Sequence, residues 1–318
     1  MALAFSLSYY AHMIHRASRQ QQAIAWIEST GGLAQTGSFA SEAELDTDLF
    51  AVWPFELGQF SESYQRHFLY KPDFFLDSER NLTHGLMRLV LKNGSRREIE
   101  SALLALDGFQ LYLDLRGVSG SVLDSVDWPD NVCYLDLQNS AARDYNFLQK
   151  MRNLKVLNLK GASIADLNDI SGLHHLEYLN AQGLSKEIDV TPLGMLVNLR
   201  CLRLGGAGIK NLPSIGGLSR LACLTLEGSI DSTVDVSCLS NLPALKQLSV
   251  SLATIEGLAS LNRCRQLEDL SIADSYVGED DLAIALALPT LKCAEISGVA
   301  NFDGVRVSDV RRERDAAH

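Results

Sequence analysis

Leu154-Lys-Val-Leu157-Asn-Leu159-Lys-Gly-Ala-Ser-Ile164-Ala-Asp-Leu167-Asn-Asp-Ile170-Ser-Gly-Leu173-His-His-Leu176 is the stretch whose reading decides the fold. Leu176 restarts the same phrase as Leu176-Glu-Tyr-Leu179. A unit that copies itself at a fixed period is the signature of a solenoid, in which each unit buries its apolar face against the next. Aligned on L-x-x-L-x-L, units begin at Leu86, Gln110, Val132, Leu154, Leu176, Leu199, Leu221, Leu245, Leu267 and Leu291. The fourth and sixth positions are apolar throughout, from Leu89 and Leu91 to Ala294 and Ile296. Their alternation with variable residues predicts a short strand, and the apolar residues that follow, such as Ile164, Leu167, Ile170 and Leu173, predict a return arm. Stacked units place the strands in one parallel sheet.

This pattern resembles that of leucine-rich repeat proteins. The clearest units match the 22-residue form of bacterial internalin-like and eukaryotic phosphatase-regulator repeats. The resemblance implies an α/β leucine-rich repeat solenoid of about ten repeats, with the parallel sheet on its concave face. The phrase Ser18-Arg-Gln-Gln-Gln-Ala-Ile-Ala-Trp-Ile-Glu-Ser-Thr-Gly-Gly32 also resembles the helix preceding the repeats of many uncharacterised bacterial relatives. In those relatives a membrane-anchoring helix often comes first. One feature departs from the family. The ninth position, usually Asn, holds Gly94, Val118, Ser140, Ala162, Leu184, Ala207, Ser229, Ala253, Ser275 and Val299. Buried backbone groups there still need partners, so small residues, Ser hydroxyls and contacts between neighbouring turns are expected to supply them. Glycine at the eighth position, as in Gly117, Gly161 and Gly183, fits a tight turn. Ala162 and Ala207 are both expected to be too confined to become leucine.

Three regions follow: residues 1–85 as a helical and aromatic N-terminal cap, 86–312 as the solenoid, and 313–318 as a polar tail. A helix is expected over 8–29, stopped by Gly31-Gly32. The aromatic residues between Phe50 and Phe75 are expected to cover the open end of the first repeat. The first 14 residues are mildly apolar but too few to span a bilayer. A membrane partner is therefore not expected, and a cytoplasmic location is. Anchoring through the N-terminus is the minor alternative.

The formal net charge of -11 argues against a phosphate-backbone partner, so no nucleic acid is expected. The basic clusters at 96–97 and 311–314 read as a solvated loop and a solvated tail. Six cysteines occur without any C-x-x-C pair, which excludes the common zinc and redox motifs and suits a reducing compartment. No metalloprotease, phosphate-loop or nucleophile-elbow motif occurs, so neither enzyme activity nor a cofactor is expected.

The informative surface is the outward side of the sheet. Its N-terminal half carries Arg88, Tyr112, Asp114, Arg116, Tyr134, Asp136, Asn158, Lys160, Tyr178, Asn180 and Arg203, whereas its C-terminal half reads as small and bland. Tyr and Arg among polar groups are favoured in protein-binding hot spots. The expectation is a non-enzymatic module, a scaffold of bacterial type, that binds a protein on the concave face. The alternative is a bacterial immunity or effector protein acting on a specific enzyme, with the acidic surface suited to a basic target.

Overall fold

A computed structural model describes residues 2–36, 86–91, 94–229, 232–301 and 310–313. The aromatic stretch assigned to the cap lies outside them, as does most of the 1–85 region.

The main sheet has twelve strands in chain order. They are β1 (Leu33–Thr36), β2 (Leu86–Val90), β3 (Gln110–Asp114), β4 (Val132–Asp136), β5 (Val156–Asn158), β6 (Tyr178–Leu184), β7 (Cys201–Gly206), β8 (Cys223–Glu227), β9 (Gln247–Ser251), β10 (Asp269–Ala273), β11 (Cys293–Ser297) and β12 (Val310–Glu313). The ten strands β2 to β11 run parallel, one for each sequence unit. β1 and β12 pair antiparallel with the two outermost of them. The outermost strands of the sheet are therefore these two short antiparallel ones, and short edge strands offer little template for unwanted pairing. This corrects one sequence expectation: Arg311 and Arg312, read from sequence as part of a solvated tail, lie in β12.

The fourth and sixth positions form the core. Leu89, Leu113, Leu135, Leu157, Leu179, Leu202 and Leu248 are at most 1% exposed. Each fully buried leucine contributes about 1.5–3 kcal/mol. Opposite the sheet, the return arms carry the second apolar layer, with Leu167, Ile170 and Leu173 fully buried in the founding unit.

Most return arms are short 3₁₀ helices, such as Asn146–Lys150, Asn168–Ile170 and Thr191–Met195. A 3₁₀ turn rises about 2.0 Å per residue against 1.5 Å for an α-helix, so fewer residues span the same return. The units at Leu86, Gln110 and Leu267 instead hold α-helices, Arg96–Ala105, Gly120–Ser125 and Glu279–Leu286. The Glu98 carboxylate accepts the Ser95 N–H at 2.9 Å and fixes the start of the first. Asp144, Asp166, Asp189 and Asp235 each accept the N–H two residues on, which turns the chain into the arm. Where Lys210 and Glu256 replace that aspartate, the next residue turns left-handed instead: Asn211 at φ 59° and Gly257 at φ 76°.

The strand-to-arm turn explains the missing asparagine. The eighth position is left-handed at Gly117, Asn139, Gly161, Gly183, Leu252, Asp274 and Gly298. The ninth N–H then folds back onto the sixth carbonyl, as from Val118 to Leu115, Ser140 to Leu137 and Ala162 to Leu159. Turns also bond to their neighbours: Asn139 N–H reaches the Lys160 carbonyl at 2.8 Å, and Ser163 N–H reaches Ser140 at 2.9 Å. The backbone thus meets the needs an asparagine side chain would have met, helped by the Ser275 hydroxyl, which accepts the Ala253 N–H and donates to the Ala273 carbonyl, and by the Tyr145 hydroxyl, which donates to the Ser140 carbonyl. Ala162 and Ala253 are buried in these turns. Ala207 is exposed, against expectation. The register between β6 and β7 is irregular after Ala181, and the Gly206 turn swings the next residue outward.

At the N-terminus a helix spans Ala2–Ser29. It is longer than the expected 8–29 and packs Ala23 and Ile27 into the core. Gly31, at φ 79°, ends it, and Gly32 N–H bonds back to Ile27. No helix among the described residues is long and apolar enough to cross a membrane.

Candidate functional site: the concave sheet face

In-register parallel strands align equivalent residues in straight columns about 4.8 Å apart. The third positions form one column: Arg88, Tyr112, Tyr134, Val156, Tyr178, Cys201, Cys223, Gln247, Asp269 and Cys293. The fifth positions form a second: Val90, Asp114, Asp136, Asn158, Asn180, Arg203, Thr225, Ser249, Ser271 and Glu295. Of the residues named from sequence, Tyr112, Asp114, Tyr134, Asp136, Asn158, Tyr178, Asn180 and Arg203 fall in these two columns, and Arg116 and Lys160 follow two residues after the second. The side chain of Arg88 lies outside the described set.

Their exposure differs from the expectation. Tyr112, Tyr134 and Tyr178 are only 3–5% exposed, and Asp114, Asp136, Asn158 and Asn180 are buried with them. Side chains one strand apart cover each other: the Tyr112 and Tyr134 rings meet edge to face, 6.0 Å between centroids. Burial pushes the Tyr178 phenol well above its ordinary range.

The acidic and amide residues have local work that explains their positions. Each turns its Oδ1 onto the backbone N–H two residues on, where the strand ends: Asp114 to Arg116 at 3.2 Å, Asp136 to Gln138 at 2.9 Å, Asn158 to Lys160 at 3.1 Å, and Asn180 to Gln182 at 3.1 Å. Neighbouring rungs are tied as well, since Asn158 donates through Nδ2 to the Asp136 carboxylate at 3.1 Å. Arg116 lies over the end of this ladder. Its Nε donates to Asp114 at 2.9 Å and stands 3.6 Å from Asp136. The Asp114 hydrogen bonds raise the Arg116 pKa, so the guanidinium is a fixed charge.

Asp136 is the strained member. Burial raises its pKa, and the Asp114 charge adds to this, against the Gln138 N–H, Arg116 and Asn158. A carboxyl group with a raised folded-state pKa takes up its proton in the folded state first. Its charge therefore costs stability above that pKa, and the cost fades as pH falls through it. Asparagine already fills the next two rungs. Asp136→Asn is accordingly expected to stabilise the fold by on the order of 1 kcal/mol at pH 7 and to show no gain at acid pH. Thermal unfolding of both proteins across pH measures this; a Tm at pH 7 several degrees below the wild type would refute it.

The C-terminal half is less bland than its sequence suggests. Gln247 donates to Asp269 at 3.0 Å, and both are buried. The Cys223 thiol lies 3.1 Å from Gln247 Oε1. Gln182 reaches Glu227, two strands away, at 3.0 Å. Gly205 permits this crossing, because a Cβ there would lie 2.8 Å from that of Glu227. Column register gives the signal for these links once the strands are aligned. Arg203, Lys160, Gln138, Gln182 and Glu227 are partly exposed, and Arg116 more so. These longer side chains form the accessible polar part of the face.

The repeat geometry and its polar columns define a solenoid built to present one broad face. The leucine-rich repeat region profile matches residues 135–304, and the chain belongs to that family. An internalin (inlF) from Listeria monocytogenes shares the fold at a TM-score of 0.54 and 22% identity, over 67% of this chain and 62% of that one. TLR13, in the TLR13–ssRNA13 complex, does so at 0.51 and 16%, over 66% of this chain and 31% of that one. The chain thus spans less than two thirds of either protein, and at these identities the likeness is one of fold. No curated protein matches the chain.

Proposed function

We propose that this chain is a non-enzymatic protein-binding module that takes a protein partner on the concave face. Leucine-rich repeat proteins commonly serve as interaction modules, and the observation that carries this reading is the register. Strands in phase align the third and fifth positions in columns, and the longer side chains of Arg116, Lys160, Gln182, Arg203 and Glu227 supply a strip of accessible polar groups beside the buried tyrosines. A strip of fixed charges over a packed base is what orients a partner during encounter. The tyrosines and the Asp/Asn ladder act in this reading by holding the strip in place. One structural neighbour is a complex with single-stranded RNA, so the fold admits nucleic acid. The net charge of -11 disfavours a phosphate backbone as the partner, and the Arg116, Lys160 and Arg203 side chains suit acidic groups on a protein.

The test is affinity capture with the wild type and with Lys160→Glu plus Arg203→Glu, followed by measurement of the captured partner's affinity. A loss of at least about tenfold, with the variant's thermal unfolding unchanged, is the expected result. Equal affinity in the variant would place the binding site elsewhere.

A further inference from the structure

The column of third positions contains two thiols side by side, and the binding face as described gives them no role. Cys201 and Cys223 are direct partners in the register of β7 and β8. Both face the concave side, Cys201 buried and Cys223 partly so, and both are free thiols. The remaining cysteines are placed otherwise: Cys238 and Cys264 lie on return arms, Cys133 at a second position, and Cys293 three strands along from Cys223.

Parallel strands in register point the two Cβ atoms the same way, so they stay near the strand spacing of about 4.8 Å. A disulfide needs Cβ atoms about 3.8 Å apart, and pulling them together strains the bridge. Thiolate–metal bonds are about 2.3 Å long, so an ion held linearly between two sulfurs sets them about 4.6 Å apart. The pair therefore suits an atom between the sulfurs better than a bond between them. We propose that Cys201 and Cys223 form a two-coordinate site for a soft monovalent cation of the copper(I) or silver(I) class.

The donor set supports this choice. Soft thiolates select such ions over hard ones. Among the described residues no group of three or more His, Cys, Asp or Glu side chains gathers to hold a metal, so the tetrahedral ligand set of zinc is not assembled there. Loading is a simple exchange: two S–H groups and M⁺ give S–M–S⁻ and two protons, with no change of oxidation state. Arg203 neighbours both thiols electrostatically and balances the single negative charge of the product. It also eases the first deprotonation. The hydrogen bond between the two sulfurs, and then Arg203, lower the Cys201 thiol against its burial, whereas that same bond and burial hold the Cys223 thiol well above its ordinary range, so the second proton leaves only as the metal binds. Gln247 Oε1, 3.1 Å from Cys223 Sγ, steers that sulfur from the other side. Partial exposure of Cys223 leaves an entry path.

The test uses the reduced full chain under anaerobic conditions, with copper(I) supplied against a competing chelator. Native mass spectrometry gives the stoichiometry, and the ultraviolet thiolate-to-copper band reports the ligands. One ion is expected in the wild type and in a Cys133→Ser plus Cys238→Ser control. Cys201→Ser and Cys223→Ser are each expected to bind more than about 100-fold more weakly, beyond what changing a supporting residue costs. Circular dichroism confirms that each variant folds; if a serine variant does not, the apolar Cys→Ala change is used. Copper retention undiminished in the double 201/223 variant would overturn the site. So would a wild type that surrenders all copper to the chelator, or one that forms a Cys201–Cys223 disulfide with diamide yet binds no copper.

Discussion

Leu157→Ala is expected to lower the stability of the chain by about 3 kcal/mol. Leu157 is fully buried in β5, in register between Leu135 and Leu179. Truncation leaves a cavity lined by units on both sides. In a solenoid each unit holds only to its neighbours, so one cavity weakens two interfaces at once. The effect on cooperativity is therefore as informative as the effect on stability. All three tryptophans, Trp26, Trp53 and Trp128, precede Leu157 in the chain. Fluorescence reports the N-terminal part, whereas circular dichroism reports the whole array. In urea, the wild type is expected to give coincident transitions by the two probes, and Leu157→Ala separated ones. A loss below about 1 kcal/mol, or coincident transitions in the variant, would show that the array repacks around the gap.

The success of the core prediction and the failure over exposure have the same origin. Alternation with period two states which side of a sheet a residue occupies, and the leucines at positions four and six had to lie together. It says nothing of how much solvent reaches the other side. Tyr112, Tyr134 and Tyr178 were placed on the correct face, yet their accessibility depends on ring-to-ring packing between units far apart in sequence. The Asp/Asn ladder was closer to being legible. Its bonds run from residue i to the N–H of i+2, a local contact, and an Asp or Asn just before a turn is a familiar sign of one. Tyr, Asp and Asn serve both binding hot spots and strand-end turns, so residue type alone does not separate the two roles. The Cys201–Cys223 pairing was also visible in the alignment, because register alone makes them neighbours. What register could not supply was the surrounding Arg203 and Gln247 contacts.

The turns supply the second large effect, and they separate two alanines that the alignment treats alike. Ala162→Leu is expected to destabilise the chain by about 2–3 kcal/mol, the upper range for overpacking a tight site. Ala162 is 2% exposed, and its N–H is committed to the Leu159 carbonyl at 2.9 Å. It follows Gly161, which is left-handed and already confined: a Cβ there would lie 2.2 Å from Asn139 Oδ1. A leucine side chain at 162 can be housed only by shifting the turn, and the turn is bonded on either side to the turns of its neighbours, through Asn139 to Lys160 and Gly161 to Gln182. The disturbance therefore passes to adjacent units. Ala207→Leu is expected to change stability by less than about 0.5 kcal/mol, because that side chain points to solvent. Urea midpoints for the two variants, measured side by side, decide the matter. Equal losses would mean that the turn after β7 is packed like the others, as the bare alignment implies. A loss confined to Ala162→Leu would establish that the backbone ladder between turns, and not side-chain size at the ninth position as such, holds this solenoid together without its asparagines.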